Sequence, residues 1–331
     1  MFKVTQYIRH PNLKHFSIER VFQGVRDNMP VGIDVVTHYC RHPSSGIWHR
    51  LHDIFAATKT QGDVNHITGD VHYLVYLLRH RKTILTIHDC EILSRTRGVK
   101  HWLLWFFWFW LPEKCSTRIV AISLATKMEL LHYLNCSPEK ILIIHDPVSS
   151  GFRPLPKLIN STKQRILQIG TKENKNLARL VEAVSGLNIV LVIVGVIPKD
   201  IIDLMSKYHV TYENHVGLSD DELRCVYETS DMLAFVSLKE GFGLPIIEAQ
   251  AIGRPVVTSS ISSMPEVAGS AACLVDPYDV ACIRAGIRRV MDDANYRERI
   301  ILLGFENVKR FSPELIAQQY ADLYKQVASN A

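Results

Sequence analysis

No run in this sequence reaches the roughly 18 consecutive apolar residues that a membrane-spanning helix needs. Its opening residues, MFKVTQYIRHPNLKH, lack the apolar core of a signal peptide. Both absences lead us to expect a cytoplasmic protein. There is no internal repeat and no low-complexity block, which excludes solenoids and disordered tails. Cysteine is sparse: seven residues, an odd number without metal-ligand spacing, read as reduced thiols rather than a disulfide framework or a zinc module. Aspartate never recurs at the Asp-x-Asp spacing that holds a catalytic metal. The adjacent pairs at 220–221 and 292–293 look like helix-start or surface carboxylates, so no metal and no cofactor are expected.

What is present is a chain of 331 residues, 47% hydrophobic and 21% charged, long enough for two domains of roughly 150 residues each. Two domains imply a cleft. The net charge of +5 is unevenly spread: residues 1–150 carry 18 Lys and Arg against 12 Asp and Glu, and the remainder 20 against 21. Thirteen of the fifteen histidines also lie in the first half, which is expected to face something anionic, a phosphate-bearing substrate or a lipid surface. The basic residues are scattered and form no nucleic-acid-binding module, so nucleic acid is not expected as a partner.

Apolar, β-rich runs alternate with helical patterns. FKVTQYI, IDVVTHY, DVNHITG, TILTIHD, RIVAIS and KILIIHD read as strands in the first half, and RILQIG, IVLVIVG, DMLAFVS, PVVTSS and ACLVD in the second. Near-continuous apolar strands separated by helices indicate parallel sheets covered on both faces, hence an α/β fold repeated twice. The segment PVSSGFRPLP, residues 147–156, has three prolines and a glycine and reads as a linker, which divides the chain into domains 1–150 and 151–311. Residues 312–331 read as a final helix with Ile316, Tyr320, Leu323 and Val327 on one apolar stripe. In parallel sheets ligands bind beyond the carboxyl ends of the strands, so the informative residues should follow strands directly.

One such loop is KEGFGLPIIEA. Gly241 and Gly243 let main-chain amides approach a ligand with no Cβ in the way, Pro245 starts a helix and Gly253 ends it. Glu240 falls in the loop and Glu248 on the helix, both able to face one pocket. Ionised carboxylates only accept hydrogen bonds and therefore suit sugar hydroxyls, while the amides between them suit phosphate.

From this loop onward the sequence resembles the retaining nucleotide-sugar glycosyltransferases of the GT-B architecture, family 4. The pattern Glu240-x7-Glu248 with GFGLP inside it is that family's hallmark, and GRPVVTSSISSMPEVAGSAACLVDPYD looks like its continuation. RIVAISLATKMELLHYLNCSPEKILIIHDPVSSGFRP and ILQIGTKENKNLARLVEAV resemble the crossing between domains and the start of the donor domain. The resemblance implies two Rossmann-like domains facing a central cleft, 1–150 on the acceptor side and 151–311 binding the donor, with the last helix packing back on the first. It implies hexosyl transfer from a GDP- or UDP-linked sugar to a saccharide or lipid-linked acceptor, in the making of cell-surface polysaccharide or glycolipid. Glu248 would hold the nucleotide ribose and Glu240 the donor sugar. The amides of Phe242, Gly243 and Leu244 would line sugar and phosphate, Lys175 would neutralise the leaving diphosphate, and His88 would approach the reacting sugar. Gly170, Thr171 and Lys172 would complete the donor loop.

The sequence also departs from that family. An arginine common after the glycine matching Gly170 is Thr171 here, and Asn174 replaces a second basic residue; Lys172 is the candidate substitute. The usual Gly-Gly loop after the first strand is replaced by RHPNLKHFSIERVF, in which Arg9, His10, Ser17 and Glu19 are candidates for the acceptor surface. The absent arginine leaves open a sugar-nucleotide-binding protein without turnover; a sugar-nucleotide epimerase is the other alternative, and the Glu-x7-Glu loop argues against it. HWLLWFFWFWLPEK, residues 101–114, holds four of the five tryptophans. Its apolar core from Trp102 to Leu111 would be about 15 Å long as a helix, half the membrane's hydrocarbon thickness. It reads as a core or dimer helix, or as a contact with the inner face of an anionic membrane.

Overall fold

The computed structural model describes residues 2–11, 17–157 and 163–329. They divide into two compact units, one formed by Met1–Pro147 and Pro313–Ala331, the other by Val148–Ser312.

The first unit contains strands β1 (Phe2–Ile8), β2 (Ile33–Tyr39), β3 (Val64–Ile67), β4 (Thr83–Ile87), β5 (Arg118–Ala121) and β6 (Ile141–Ile143). They form one sheet in the order β2-β1-β3-β4-β5-β6, and all its pairings are parallel. Parallel strands need crossover segments, and helices such as Ser17–Asp27 and Ile47–Thr58 supply them. Tyr7, Ile67, Leu85 and Ile119 are fully buried. Burial of each such side chain is worth roughly 1.5–3 kcal/mol.

The closing helix, Pro313–Ser329, belongs to this unit and buries Ile316, Tyr320, Leu323, Tyr324 and Val327. A buried polar chain anchors it. The Tyr324 hydroxyl lies 2.7 Å from His66 Nδ1 and accepts from Gln6 Nε2 at 3.1 Å, while Arg26 donates to Gln6 Oε1 at 2.8 Å. The other ring nitrogen of His66 lies 2.7 Å from Thr86 Oγ1. Burial pushes the Tyr324 hydroxyl up, so it stays protonated, and holds the His66 imidazole down to about 3, so it stays neutral.

The second unit contains β7 (Gln164–Ile169), β8 (Ile189–Val194), β9 (Tyr212–His215), β10 (Met232–Phe235), β11 (Val256–Ser259) and β12 (Cys273–Val275), again all parallel, in the order β12-β11-β10-β7-β8-β9. Eleven of the twelve strands among the described residues fall on the apolar runs read from sequence. The twelfth, β9, was not read as a strand because its sequence, YENH, is polar and alternates exposed with half-buried residues at the sheet edge, so it carries no continuous apolar signal. All seven cysteines are free.

The helix Gly98–Leu104 runs on through a π-helical stretch, Trp105–Trp110, into Leu111–Lys114. Widening the turn sends the aromatic side chains in more than one direction. Phe109 is buried and Trp105, Trp108 and Trp110 pack against the core, whereas Trp102, Leu103 and Phe107 are exposed. No helix among the described residues is long and apolar enough to cross a membrane.

Candidate active site

The site in the second unit is built from loops that follow strands β7 and β10. After β7, Gly170 turns with φ of 85°, and residues Glu173–Lys175 form a short 3-10 turn ahead of the helix Leu177–Val184. The Lys175 side chain lies across Gly170: a Cβ there would come within 2.9 Å of Lys175 Cε and 3.2 Å of its Cγ. Glycine is therefore required twice over, for its backbone angle and for the lysine's path.

After β10, the chain enters the loop carrying Glu240. Lys175 Nζ lies 2.7 Å from Glu240 Oε1, and the two side chains are only 17% and 14% exposed. Asn174 fastens the same loop, donating to the Lys239 carbonyl at 2.9 Å, while the Leu238 amide donates back to the Asn174 carbonyl at 2.7 Å. The ammonium also sits 4.7 Å from the centre of the Phe235 ring, an attractive contact for a cation. Beneath the loop, Ser262 Oγ donates to the Glu240 carbonyl at 2.9 Å, and Ser263 Oγ donates to the Phe242 carbonyl at 2.6 Å. These bonds hold the peptide groups around Glu240 and Phe242 in one orientation before any ligand arrives.

Gly243, with φ of 116°, leads into the helix Leu244–Ile252. Among the described residues the amides of Gly243 and Leu244 donate to no recorded partner, as befits the first donors of a helix. Phe242 is buried against Phe311, with ring centres 5.6 Å apart. Glu248, one turn into the helix, is buried, and its Oε2 accepts a 2.6 Å hydrogen bond from the Tyr227 hydroxyl. Tyr227 is held by Phe152 edge to face, and its carbonyl accepts from buried Arg254.

The two glutamates thus have different partners. Glu240 is half of an ion pair and Glu248 is oriented by a phenol. Thr171 is committed to structure, donating to the Val196 carbonyl at 2.6 Å, whereas Lys172 is exposed and forms no ion pair among the described residues.

The first-unit candidates are distributed differently. Arg9 and Glu19 form a two-point ion pair, 2.7 Å and 3.1 Å, and Arg9 reaches Asp70 at 3.2 Å. Burial works against the charge on Arg9, but the two carboxylates outweigh it and its pKa is raised. His10 Nδ1 lies 3.4 Å from the Cys40 carbonyl, a weak contact. Ser17 contributes its backbone to the start of the helix Ser17–Asp27; its side chain lies outside the described residues. His88 is half-buried after β4, with Nε2 2.9 Å from the Thr68 carbonyl.

Sequence reasoning missed Tyr227, Ser262, Ser263 and Asp70, and read Asn174 only as the place of a lost basic residue, not as the fastener of the Glu240 loop. Only the tyrosine left a trace, as a large amphipathic residue on the buried face of the helix Asp220–Thr229.

Comparison with known proteins bears on the same region. Residues 155–304 match the family described as glycosyl transferases group 1. An O-antigen chain mannosyltransferase B of Escherichia coli is 40% identical over 106 residues, 32% of this chain and 28% of that protein, so the chain spans little more than a quarter of that relative. The O-antigen chain mannosyltransferase RfbU of Salmonella typhimurium is 24% identical over 261 residues, 75% of this chain and 72% of that protein. HepE of Anabaena, solved with UDP and glucose, has a TM-score of 0.77 over 98% of this chain and 100% of its own, at 14% identity. The family match lies within the unit that carries Lys175, Glu240 and Glu248, so residues 155–304 are a domain of the glycosyl transferases group 1, and the fold likeness running along the chain gives it a GT-B fold.

Proposed function

We propose that the protein is a retaining glycosyltransferase that moves a hexose, mannose first among them, from a GDP- or UDP-linked donor to a hydroxyl of a saccharide or lipid-linked acceptor. The observation that carries this reading is the Lys175–Glu240 ion pair beside the helix that bears Glu248. Glu248 would accept from the nucleotide's ribose hydroxyls and Glu240 from those of the donor sugar, with Lys175 at the diphosphate. The mannosyltransferase names of two relatives support mannose. The UDP bound by HepE keeps both bases in view.

In this mechanism the acceptor oxygen attacks the anomeric carbon from the side the leaving group departs. The bond from that carbon to the phosphate oxygen breaks, its electron pair stays on the phosphate, and the acceptor's proton passes to that oxygen. Negative charge grows on the leaving diphosphate, where a fixed ammonium stabilises the transition state more than the ground state. Lys172 would add a second cation in place of the arginine that Thr171 replaces.

Membrane contact is part of the proposal. Beside Trp102 and Phe107, the helix Ile47–Thr58 exposes Ile47, Trp48, Leu51 and Phe55, and Arg97 and Lys100 are exposed nearby in sequence. Arg50 ties the two elements, its guanidinium 4.6 Å from the Trp108 ring centre. Aromatic and basic side chains together favour the headgroup region of an anionic bilayer, which suits an enzyme working at the inner face of the cytoplasmic membrane on lipid-linked acceptors.

The test is nucleotide release by purified protein offered GDP-mannose, UDP-glucose and related donors. Release from one donor, faster with acceptor present, supports the proposal. Binding without release from any donor would leave a sugar-nucleotide-binding protein.

A further inference from the structure

We propose that the first unit binds a divalent metal ion, zinc by the chemistry of its donors, between His42, His52 and Asp53. The proposal is independent of the transfer reaction. His42 lies in the segment after β2, and His52 and Asp53 lie on the helix Ile47–Thr58. His42 Nδ1 and His52 Nδ1 each lie 3.3 Å from Asp53 Oδ1, and the ligand atoms of the three residues fall within 4.8 Å of one another. Four-coordinate zinc with bonds of about 2.0–2.1 Å keeps its ligand atoms about 3.3 Å apart. Both nitrogen–oxygen edges therefore already have the length that a bound zinc ion would impose.

Hydrogen bonding alone accounts poorly for the same atoms. Asp53 is 1% exposed, and a buried carboxylate needs short donors or a cation. Its Oδ1 faces the Arg41 amide at 3.2 Å as well as the two imidazoles, and its Oδ2 faces the His42 amide at 3.4 Å. All four contacts are longer than the about 2.7–2.9 Å of a charge-assisted bond. A cation between the two imidazoles and the carboxylate would satisfy it with bonds of ordinary length.

The geometry also permits loading. The side chains of His42 and His52 are 33% and 46% exposed, so an ion can enter without unfolding, and a water can complete its coordination. The His49 ring stacks on His42 at 4.6 Å with an interplanar angle of 5°, while its own Nδ1 sits 2.9 Å from the Ser45 carbonyl. That packing fixes the plane of the His42 imidazole before metal arrives. The ion would clasp the segment after β2 to the helix that exposes Trp48 and Phe55.

The experiment uses full-length, untagged protein stripped with EDTA and dialysed, titrated with zinc against a chromophoric chelator. We expect one zinc per chain, with affinity lowered by more than about tenfold in His42→Gln and in His52→Gln, since even partners one shell out act on that scale. His80→Gln, an exposed histidine outside the cluster, should bind as wild type. Cobalt(II) titration of the wild type needs no variant: intense visible bands of a tetrahedral ion, abolished by zinc, are expected. No stoichiometric zinc binding, an octahedral cobalt spectrum, or wild-type affinity in both ligand variants would overturn the proposal.

Discussion

Lys175 and Glu240, 65 residues apart in the chain, meet at 2.7 Å as a largely buried ion pair. An ammonium held this way cannot swing freely, so in the proposed reaction it would already be placed for the diphosphate. Lys175→Ala is expected to lower the initial rate of nucleotide release about 10²–10³-fold, the cost of losing one preorganised stabiliser of developing charge. Gly170→Ala should act in the same direction while keeping Lys175, because its Cβ would occupy the lysine's path. Wild-type rates in both variants would remove Lys175 from the reaction.

Glu248 and Tyr227 make a second, separable prediction. Glu248→Ala should weaken nucleotide binding by about 1–3 kcal/mol, the range for hydrogen bonds to a charged group, and Tyr227→Phe by less, because it disorients the carboxylate without removing it. Calorimetric titration with the matching nucleoside diphosphate measures both. Equal losses in the two variants would show that Tyr227 does more than orient.

Stereochemistry and metal dependence form the third prediction. With no Asp-x-Asp pair in the sequence, added magnesium or manganese should leave the transfer rate unchanged. The product should keep the donor's anomeric configuration by proton NMR. Inversion, or an absolute requirement for either ion, would contradict the mechanism.

Membrane contact is the fourth. Trp48 is 82% exposed and Trp102 54%, and replacing both with serine keeps Phe109, Trp105, Trp108 and Trp110, the aromatics that pack into the core. Wild type should sediment with anionic liposomes, less so at high salt, and the double variant should not. Failure of the wild type to sediment with anionic vesicles would dismiss the lipid surface.

The fifth concerns pH. Unfolded His66 takes up a proton near its ordinary pKa of about 6.5, whereas in the fold it resists protonation down to about 3. The unfolded chain therefore binds more protons between these values, and stability falls as pH drops through that window. The slope is up to about 1.4 kcal/mol per pH unit. Burial lowers His72 with the same sign. All five tryptophans lie in the first unit, so urea unfolding followed by their fluorescence reports on it alone. The loss between pH 7 and pH 5 should be smaller in His66→Gln than in wild type.

Much of this was legible in the sequence because parallel strands announce themselves as apolar runs and glycines mark the loops that follow them. β9 escaped since a polar edge strand is specified by its neighbour rather than by its own residues. Lys175 and Glu240 could each be picked out, but their contact depends on β7 and β10 lying side by side, a fact of pairing rather than of local pattern. Tyr227 gave no motif, as a tyrosine on an amphipathic helix looks like core until its hydroxyl is seen against Glu248. The aromatic run from Trp102 to Leu111 divides between core and surface through its π-helical turns, which its composition does not encode. His42 and His52 follow no metal-binding spacing, so only the packing of the helix Ile47–Thr58 brings them together.

The hydrogen bond between Gln6 and Tyr324 joins residues 318 positions apart. Because the second unit is inserted ahead of the closing helix, it is continuous in the chain and all of it leaves the ribosome while the first unit still lacks its last piece. Closing so long a span carries an entropic cost that local contacts must meet first. Until that helix emerges, the faces of β1 and β3 that carry Gln6 and His66 wait without their partner in the nascent chain. The half of the protein made first is thus the half completed last.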